Sequence, residues 1–332
     1  MVQIESVRDE ISSAGKKFRG RIGIFPQLWA GNLESVSSPN SKKKSGLALY
    51  TQAAEASSAV VIDKYSTSFG WATKLLGKED RHHVRNIYAL VRVADEIVDG
   101  AAAEALSGAI GVDPHSMLDK FEQETYRAVE CGFSTNLVVH AFAYTAREAG
   151  IKRDLIQPFF HSMRTDLFQR VHDKRSFEAY IYGSAEVVGL MCLQVFLSRI
   201  SVRDEEKAEF VAGARALGAA FQKVNFLRDL SADFDKLGRS YFPLIRVENF
   251  NNSERDRLVD DIRNDLNTSK VALAKLPSSS KRAVGAALMF FEALNNKVAG
   301  TPANELIKKR IRVSDPQKIF ILLKAMFGVS PK

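Results

Sequence analysis

Tyr88–Gly100 reads YALVRVADEIVDG, and far downstream Ala220–Asp233 reads AFQKVNFLRDLSAD. Each stretch holds two aspartates four residues apart, Asp95 with Asp99 and Asp229 with Asp233. On a helix of 3.6 residues per turn, positions four apart share one face, one turn above each other. Like charges stacked in this way destabilise a helix mildly unless something positive sits between them. An arginine accompanies each pair: Arg92 one turn before Asp95, and Arg228 beside Asp229. Two such faces meeting across a cavity would hold hard divalent cations and, through them, a polyphosphate.

A lone D-x-x-x-D on a helix is most often a solvated face, so the neighbours decide. Around Asp95, Glu96 and Asp99, the residues Ile87, Tyr88, Leu90, Val91, Val93, Ala94, Ile97 and Val98 leave little polar face apart from Arg92. The acids are therefore expected to point into a protein-lined cavity, where an unpartnered carboxylate is costly. Gln222 and Asn225 precede Asp229 by seven and four residues, which extends a stripe Gln222, Asn225, Asp229, Asp233 along one face. It is set against Ala219, Phe221, Val224, Phe226 and Leu227, and reads better as a lining stripe than as an outward one.

Three smaller features surround these. In DFDKLGRSYFP (233–243), Gly238 and Pro243 stop a helix, while Arg239 and Tyr241 equip the loop to close over an anion. YSTSFGWATKLL (65–76) offers Ser66 and Ser68 as hydroxyl donors beside Phe69, although alone it reads as an N-cap region. AYIYGSAEVVGLM (179–191) carries Gly183 and Gly189 inside a helical pattern. Each costs about 1 kcal/mol against Ala, which calls either for close helix packing or for a kink opening a cavity to a long apolar chain.

The 332 residues are 45% hydrophobic and 26% charged, the composition of a globular protein with a sizeable core. The plentiful Ala, Leu, Lys, Arg and Glu favour helix. Helical periodicity runs over about 47–64, 80–99, 114–131, 135–149, 152–169, 176–200, 203–235, 254–275, 279–298 and 316–327, with short connections. No period-2 alternation persists and no solenoid repeat is present. The expected architecture is one all-α domain, 47–332, preceded by a basic, partly disordered arm, 1–46, that ends in SVSSPNSKKKSG.

The net charge of +8 suits an anionic partner. Its concentration in the arm and near the C-terminus (Lys308, Lys309, Arg310, Arg312, Lys318) favours a membrane surface or a diphosphate. Nucleic acid would need a basic helix face with stacking aromatics. Cys131 and Cys192 have no metal-type spacing and read as buried free thiols in a reducing compartment. The adjacent His82 and His83 read as surface or capping residues. The N-terminus is too polar for a signal peptide, and no apolar run approaches the roughly 18 residues that span a bilayer. No Gly-rich phosphate loop, H-E-x-x-H site or G-x-S-x-G elbow is present.

Taken in order, these blocks resemble the squalene/phytoene synthase family of head-to-head prenyl transferases, from about Tyr65 to Phe327. The resemblance rests on Ser66–Phe69, on Tyr88, Arg92, Asp95 and Asp99, on YIYGSAEVVGLM with Tyr180, Val188 and Gly189, and on Gln222, Asn225, Arg228, Asp229 and Asp233. GRSYFP and the basic RIRVSDPQK, with Arg310 as a phosphate contact, complete it. The wording of YSTSFGWAT and VRVADEIVDG is most similar to bacterial phytoene synthases. The resemblance implies an isoprenoid-synthase helical bundle around a central cavity, with Mg²⁺ (or Mn²⁺) at Asp95, Asp99, Asn225, Asp229 and Asp233. It also implies that Tyr88, Tyr180 and Tyr241 line the reaction centre, with Arg92, Arg239 and Arg310 on the diphosphate.

The activity so implied is condensation of two geranylgeranyl diphosphates, through a cyclopropylcarbinyl diphosphate, to phytoene in carotenoid biosynthesis, without NADPH. Squalene or dehydrosqualene synthesis from two farnesyl diphosphates is the alternative, and a non-catalytic assembly protein a remote one. The expected setting is cytoplasmic and peripheral on a membrane, near upstream and downstream isoprenoid enzymes. Three departures from the family pattern stand out: Ser184 and Glu186 where relatives carry small apolar residues or glycine, a slightly long 234–240 loop, and Phe291 in place of tyrosine.

Overall fold

The long periodic segments fold as helices, and no strand occurs among the described residues. The computed structural model describes residues 45–106, 113–237, 242–243, 249–308 and 310–326, with the backbone alone at 67, 68, 103, 106 and 231–237. The basic arm therefore lies outside the described residues except for its last two. From Leu47 onward the described residues belong to one compact unit.

In chain order the helices are α1 (Gly46–Tyr65), α2 (Thr67–Thr73), α3 (Lys78–Val98), α4 (Ala101–Leu106), α5 (Pro114–Cys131), α6 (Leu137–Ala149) and α7 (Arg153–Asp166). There follow α8 (Lys174–Ile181), a π-helical turn (Tyr182–Glu186), α9 (Val187–Leu197), α10 (Asp204–Leu237), α11 (Asn252–Lys275), α12 (Ser278–Ala299), α13 (Ala303–Leu306) and α14 (Asp315–Met326). Local chemistry fixes many ends. Asp113 accepts from the amides of His115 and Ser116 to start α5, with Pro114 in its first turn, and Gly132 at φ 79° ends it. Asn251 and Glu254 form a capping box on α11. The short α2, α4 and α13 were not expected, since too few residues repeat at helical spacing for a period to register.

Two cores flank the functional region. In one, Ile87, Leu90, Ala94 and Ile97 of α3 pack with Phe121, Phe142, Phe159 and Phe160 of α5, α6 and α7. In the other, Val224, Leu227 and Leu230 of α10 pack with Leu258, Val259 and Ile262 of α11 and with Leu288 and Leu294 of α12. Each of the Ile, Leu, Val and Phe side chains among these, fully buried, contributes about 1.5–3 kcal/mol.

Four expectations need correcting. α3 ends at Val98, so Asp99 is its C-cap and its amide donates to Asp95 O, rather than being a residue of the helix body. His83 is buried rather than superficial: its Nδ1 lies 2.9 Å from Thr145 Oγ1, and burial, then the charges of His82 and Arg199, lowers its pKa to about 3. Cys131 is exposed, whereas Cys192 is enclosed and its thiol is pushed up to about 12 by burial. By length and composition Lys174–Leu197 could cross a bilayer, although no run of that length was expected. Its apolarity has a local reason, because Tyr180, Ile181, Val187, Met191 and Val195 are core, and Ala185, Val188, Cys192 and Phe196 line the cavity described next.

Candidate active site

A cavity of about 670 Å³ lies between the two cores, walled by α2, α3, the π turn with α9, α10, α11, α12 and α14. Its lining on α10 is a single stripe: Phe210, Gly213, Ala214, Leu217, Gly218, Phe221, Gln222, Asn225 and Arg228. The i, i+3, i+4 spacing keeps one face inward over 18 positions, about 27 Å at 1.5 Å per residue. Along that face the chemistry changes from apolar to polar at Gln222. Arg310 lies at the polar end with Arg228, while Phe210, Leu193 and Ala272 pack together at the other. A long cavity, oily at one end and cationic at the other, fits an anionic head on an apolar tail.

Glycines set how closely the walls approach. A Cβ on Gly218 would stand 2.5 Å from Ala185 O, and one on Gly189 2.6 Å from Ala214 O, so the π turn and α9 lie directly on α10. A Cβ on Gly183 would run into Ser162 Oγ and Pro158 O of α7. The glycines of this segment thus serve close helix packing, and the segment turns through a π-helical stretch that lies on the cavity wall. Held between α7 and α10, the π turn carries Ser184 into the lining, where its Oγ is buried and has no hydrogen-bond partner. Glu186 points away from the cavity and pairs with Arg215 at 2.5 Å. Phe291 lines the cavity and stacks on Phe221 with centroids 3.8 Å apart.

At the polar end Arg228 and Arg310 both pair with Asp229. Arg228 donates from Nε and Nη2 to the two carboxylate oxygens of Asp229 at 3.0 and 2.5 Å, and Arg310 Nε lies 2.6 Å from Asp229 Oδ1. Two guanidiniums therefore bracket one carboxylate. On α3, Arg92 directly follows the lining residue Val91; it pairs with Asp95 at 2.5 Å and with Glu96, and its guanidinium stands 4.4 Å from the centroid of Tyr65. Arg92 is thus an ion-pair partner in this state. Asp95 and Asp99 sit toward solvent, Asp95 with 43% of its side chain accessible, rather than inside the cavity. Asn225 Oδ1 is buried without a partner.

Tyr88 lines the cavity and stacks on Phe69 at 5.5 Å; burial raises its pKa, so the phenol stays protonated. Ser66 lines the cavity while also capping α2, accepting from Phe69 N at 3.2 Å. Tyr180 is not brought to the site. It is buried in the α10–α12 core, and its hydroxyl donates to Asp166 at 2.7 Å. Arg239 and Tyr241, with the side chains of Ser68 and Asp233, lie outside the described residues. Thr73, Ser269 and Lys318 also line the cavity. Their spacing carried a sequence signal only as part of helical faces.

The family model for squalene/phytoene synthase matches residues 62–317. The chain belongs to the squalene/phytoene synthase family. Family members are head-to-head prenyl transferases, which makes this protein an enzyme of isoprenoid chemistry. Among similar proteins, the 15-cis-phytoene synthase of Paracoccus sp. is 28% identical over 282 residues, spanning 80% of this chain and 88% of its own. The 4,4'-diapophytoene synthase of Staphylococcus haemolyticus is 28% identical over 207 residues, 60% of this chain and 68% of its own. In fold, a crystal structure of a dehydrosqualene synthase with a ligand matches at TM-score 0.68 and 20% identity, covering 85% of this chain and 98% of that one. A squalene synthase from Alicyclobacillus acidocaldarius matches at TM-score 0.64 and 18% identity, covering 79% and 97%. The all-α isoprenoid-synthase architecture follows from these likenesses together with the helices themselves.

Proposed function

We propose that the protein is a Mg²⁺-dependent phytoene synthase joining two geranylgeranyl diphosphates head to head, in carotenoid biosynthesis. The observation that carries this reading is the cavity, with Arg228, Arg310 and Asn225 at one end and an apolar, aromatic stretch below them. An extended twenty-carbon prenyl chain measures about 18 Å at the pitch of a stretched chain of single bonds, within the length of the α10 stripe. A fifteen-carbon chain fits as well, so squalene or dehydrosqualene synthesis from two farnesyl diphosphates remains the second reading, supported by the diapophytoene synthase relative.

Donor chemistry at the polar end fits a hard divalent cation. Asn225 presents a buried, unpartnered oxygen and Asp229 a carboxylate nearby on the same helix, and Asp95, Asp99 and Asp233 are the further carboxylates that the family pattern assigns to the metal. Among the described residues no three His, Cys, Asp or Glu side chains gather closely enough to hold a metal by themselves. Mg²⁺ is commonly held by one or two carboxylates together with substrate phosphates. When bound, the metal supplies positive charge to the diphosphate as its C–O bond breaks. Arg228 and Arg310 neutralise the departing diphosphate from the protein side, joined by Arg92 and Arg239. Exposed ion pairs such as Arg92–Asp95 are worth only about 0.2–1 kcal/mol, so exchanging a carboxylate for phosphate is cheap for the arginine.

Below the charged end, Phe221, Phe290, Phe291 and Phe69 present aromatic rings and little water-binding surface to the allylic cation. The cation is captured by the alkene of the second substrate, and loss of a proton to the released diphosphate closes the ring to the cyclopropylcarbinyl diphosphate. A second ionisation, rearrangement and proton loss then give the hydrocarbon. We further propose a cytoplasmic enzyme peripheral to a membrane, since substrate and product are long apolar chains. Incubation with Mg²⁺ and each prenyl diphosphate, followed by analysis of the extracted hydrocarbon, tests the assignment. A forty-carbon product is expected, and a thirty-carbon product formed exclusively from farnesyl diphosphate overturns it.

A further inference from the structure

α14 is apolar on two opposite sides. On one side Lys318, Ile321 and Leu322 line the cavity, and Ile321 and Ala325 are buried where α14 packs on α12 and α2. At 100° per residue, Ile319, Phe320, Leu323 and Met326 fall together on the other side. All four are exposed, by 49%, 56%, 45% and 55%. An apolar helix face belongs against a core or in lipid, and α14 carries a second such face that no core covers among the described residues. Clustered exposed apolar residues of this kind mark an interaction surface.

The charge around this face selects the partner. Lys324, one turn after Phe320, holds its ammonium 4.6 Å from the Phe320 ring centroid, and Lys308 is exposed upstream of α14. Apolar side chains beside cations are the pattern of a helix lying in the interface of an anionic bilayer. We propose that the outer face of α14 docks the enzyme on an anionic membrane, with the same helix separating the cavity from the lipid. The proposal rests on the prenyl-transferase reading, because only a long apolar product needs to pass from the cavity into a bilayer. It assigns docking to α14 rather than to the basic arm, whose Ile22, Ile24, Phe25, Leu28 and Trp29 offer the competing apolar surface.

Flotation of the full chain with phosphatidylcholine vesicles, with and without phosphatidylglycerol, tests this. The wild type is expected to float with the anionic vesicles. Phe320→Ser together with Leu323→Ser is expected to weaken partitioning at least about tenfold, since each side chain loses most of its transfer energy. Neither residue lines the cavity, so diphosphate release in detergent is expected to stay within about twofold, and that assay reads the reaction separately from docking. As a check independent of folding losses, Phe320→Trp is expected to give a blue-shifted emission difference when anionic vesicles are added. A double variant that floats like the wild type, a wild type that does not float, or an unshifted emission from the Phe320→Trp variant each overturns the proposal. The first outcome would move docking to the arm.

Discussion

Asp229 is the most constrained charge at the polar end, held by Arg228 at 2.5 Å and Arg310 at 2.6 Å with only 19% of its side chain accessible. Removing its charge leaves the partly buried Arg228 and the exposed Arg310 without this anion between substrate turnovers. Asp229→Asn is expected to lower turnover about 10²–10³-fold, the scale of losing one preorganised electrostatic group, as read by diphosphate release. His83 makes a different prediction. Its pKa of about 3 lies below the ordinary 6.5, so under acid conditions the unfolded chain takes up a proton that the folded chain refuses. Its contribution is complete above about pH 6.5 and is lost progressively as pH falls toward 3. The urea midpoint is expected to drop between pH 7 and pH 5, and to drop less in His83→Gln. Ser184 bears on product rather than rate: Ser184→Val is expected to shift the hydrocarbon profile while leaving diphosphate release within several-fold, by chromatography of the extract.

Among the elements, the π turn and α10 are interdependent. Gly218→Ala places a methyl 2.5 Å from Ala185 O, and the overpacking is expected to cost about 1–3 kcal/mol, read as a lower thermal midpoint. Part of α10 was legible beforehand, because Gln222 and Asn225 stand at helical spacing on an otherwise apolar background and do line the cavity, whereas Arg228 rather than Asp229 continues the lining and Asp233's side chain lies outside the described residues. The place of Tyr180 was not, because a hydroxyl can turn to any acceptor in reach, and Asp166, fourteen residues upstream, supplies one in the core. The π turn was legible only as misplaced glycines. It lies against Pro158 and Ser162 of α7, a tertiary contact that no local pattern reports. The half-exposed setting of Asp95 escaped for a similar reason: the apolar residues around it belong to the core on the far side of α3, not to a lid over its carboxylate.

At the scale of the whole molecule, charge is gathered at one end of a cavity built from both halves of the chain, so ligand binding should stabilise the fold as a unit. Mg²⁺ with inorganic diphosphate at a hundredfold excess over Kd is expected to add about 2.7 kcal/mol, seen as a thermal midpoint several degrees higher, and less in Asp229→Asn. The cavity walls also restrict how such an enzyme changes. Phe210 and Arg228 sit on one unbroken helix, so the distance from charged head to greasy floor is graduated like a ruler in steps of 1.5 Å and 100°. Inserting one residue between them would swing the floor a quarter-turn out of line with the head, whereas whole turns of three or four residues nearly restore alignment. Changing the accepted chain by point substitution at the floor, near Phe210, Gly213 and Ala214, keeps the head untouched, and is the route this architecture leaves open for exchanging one substrate length for another.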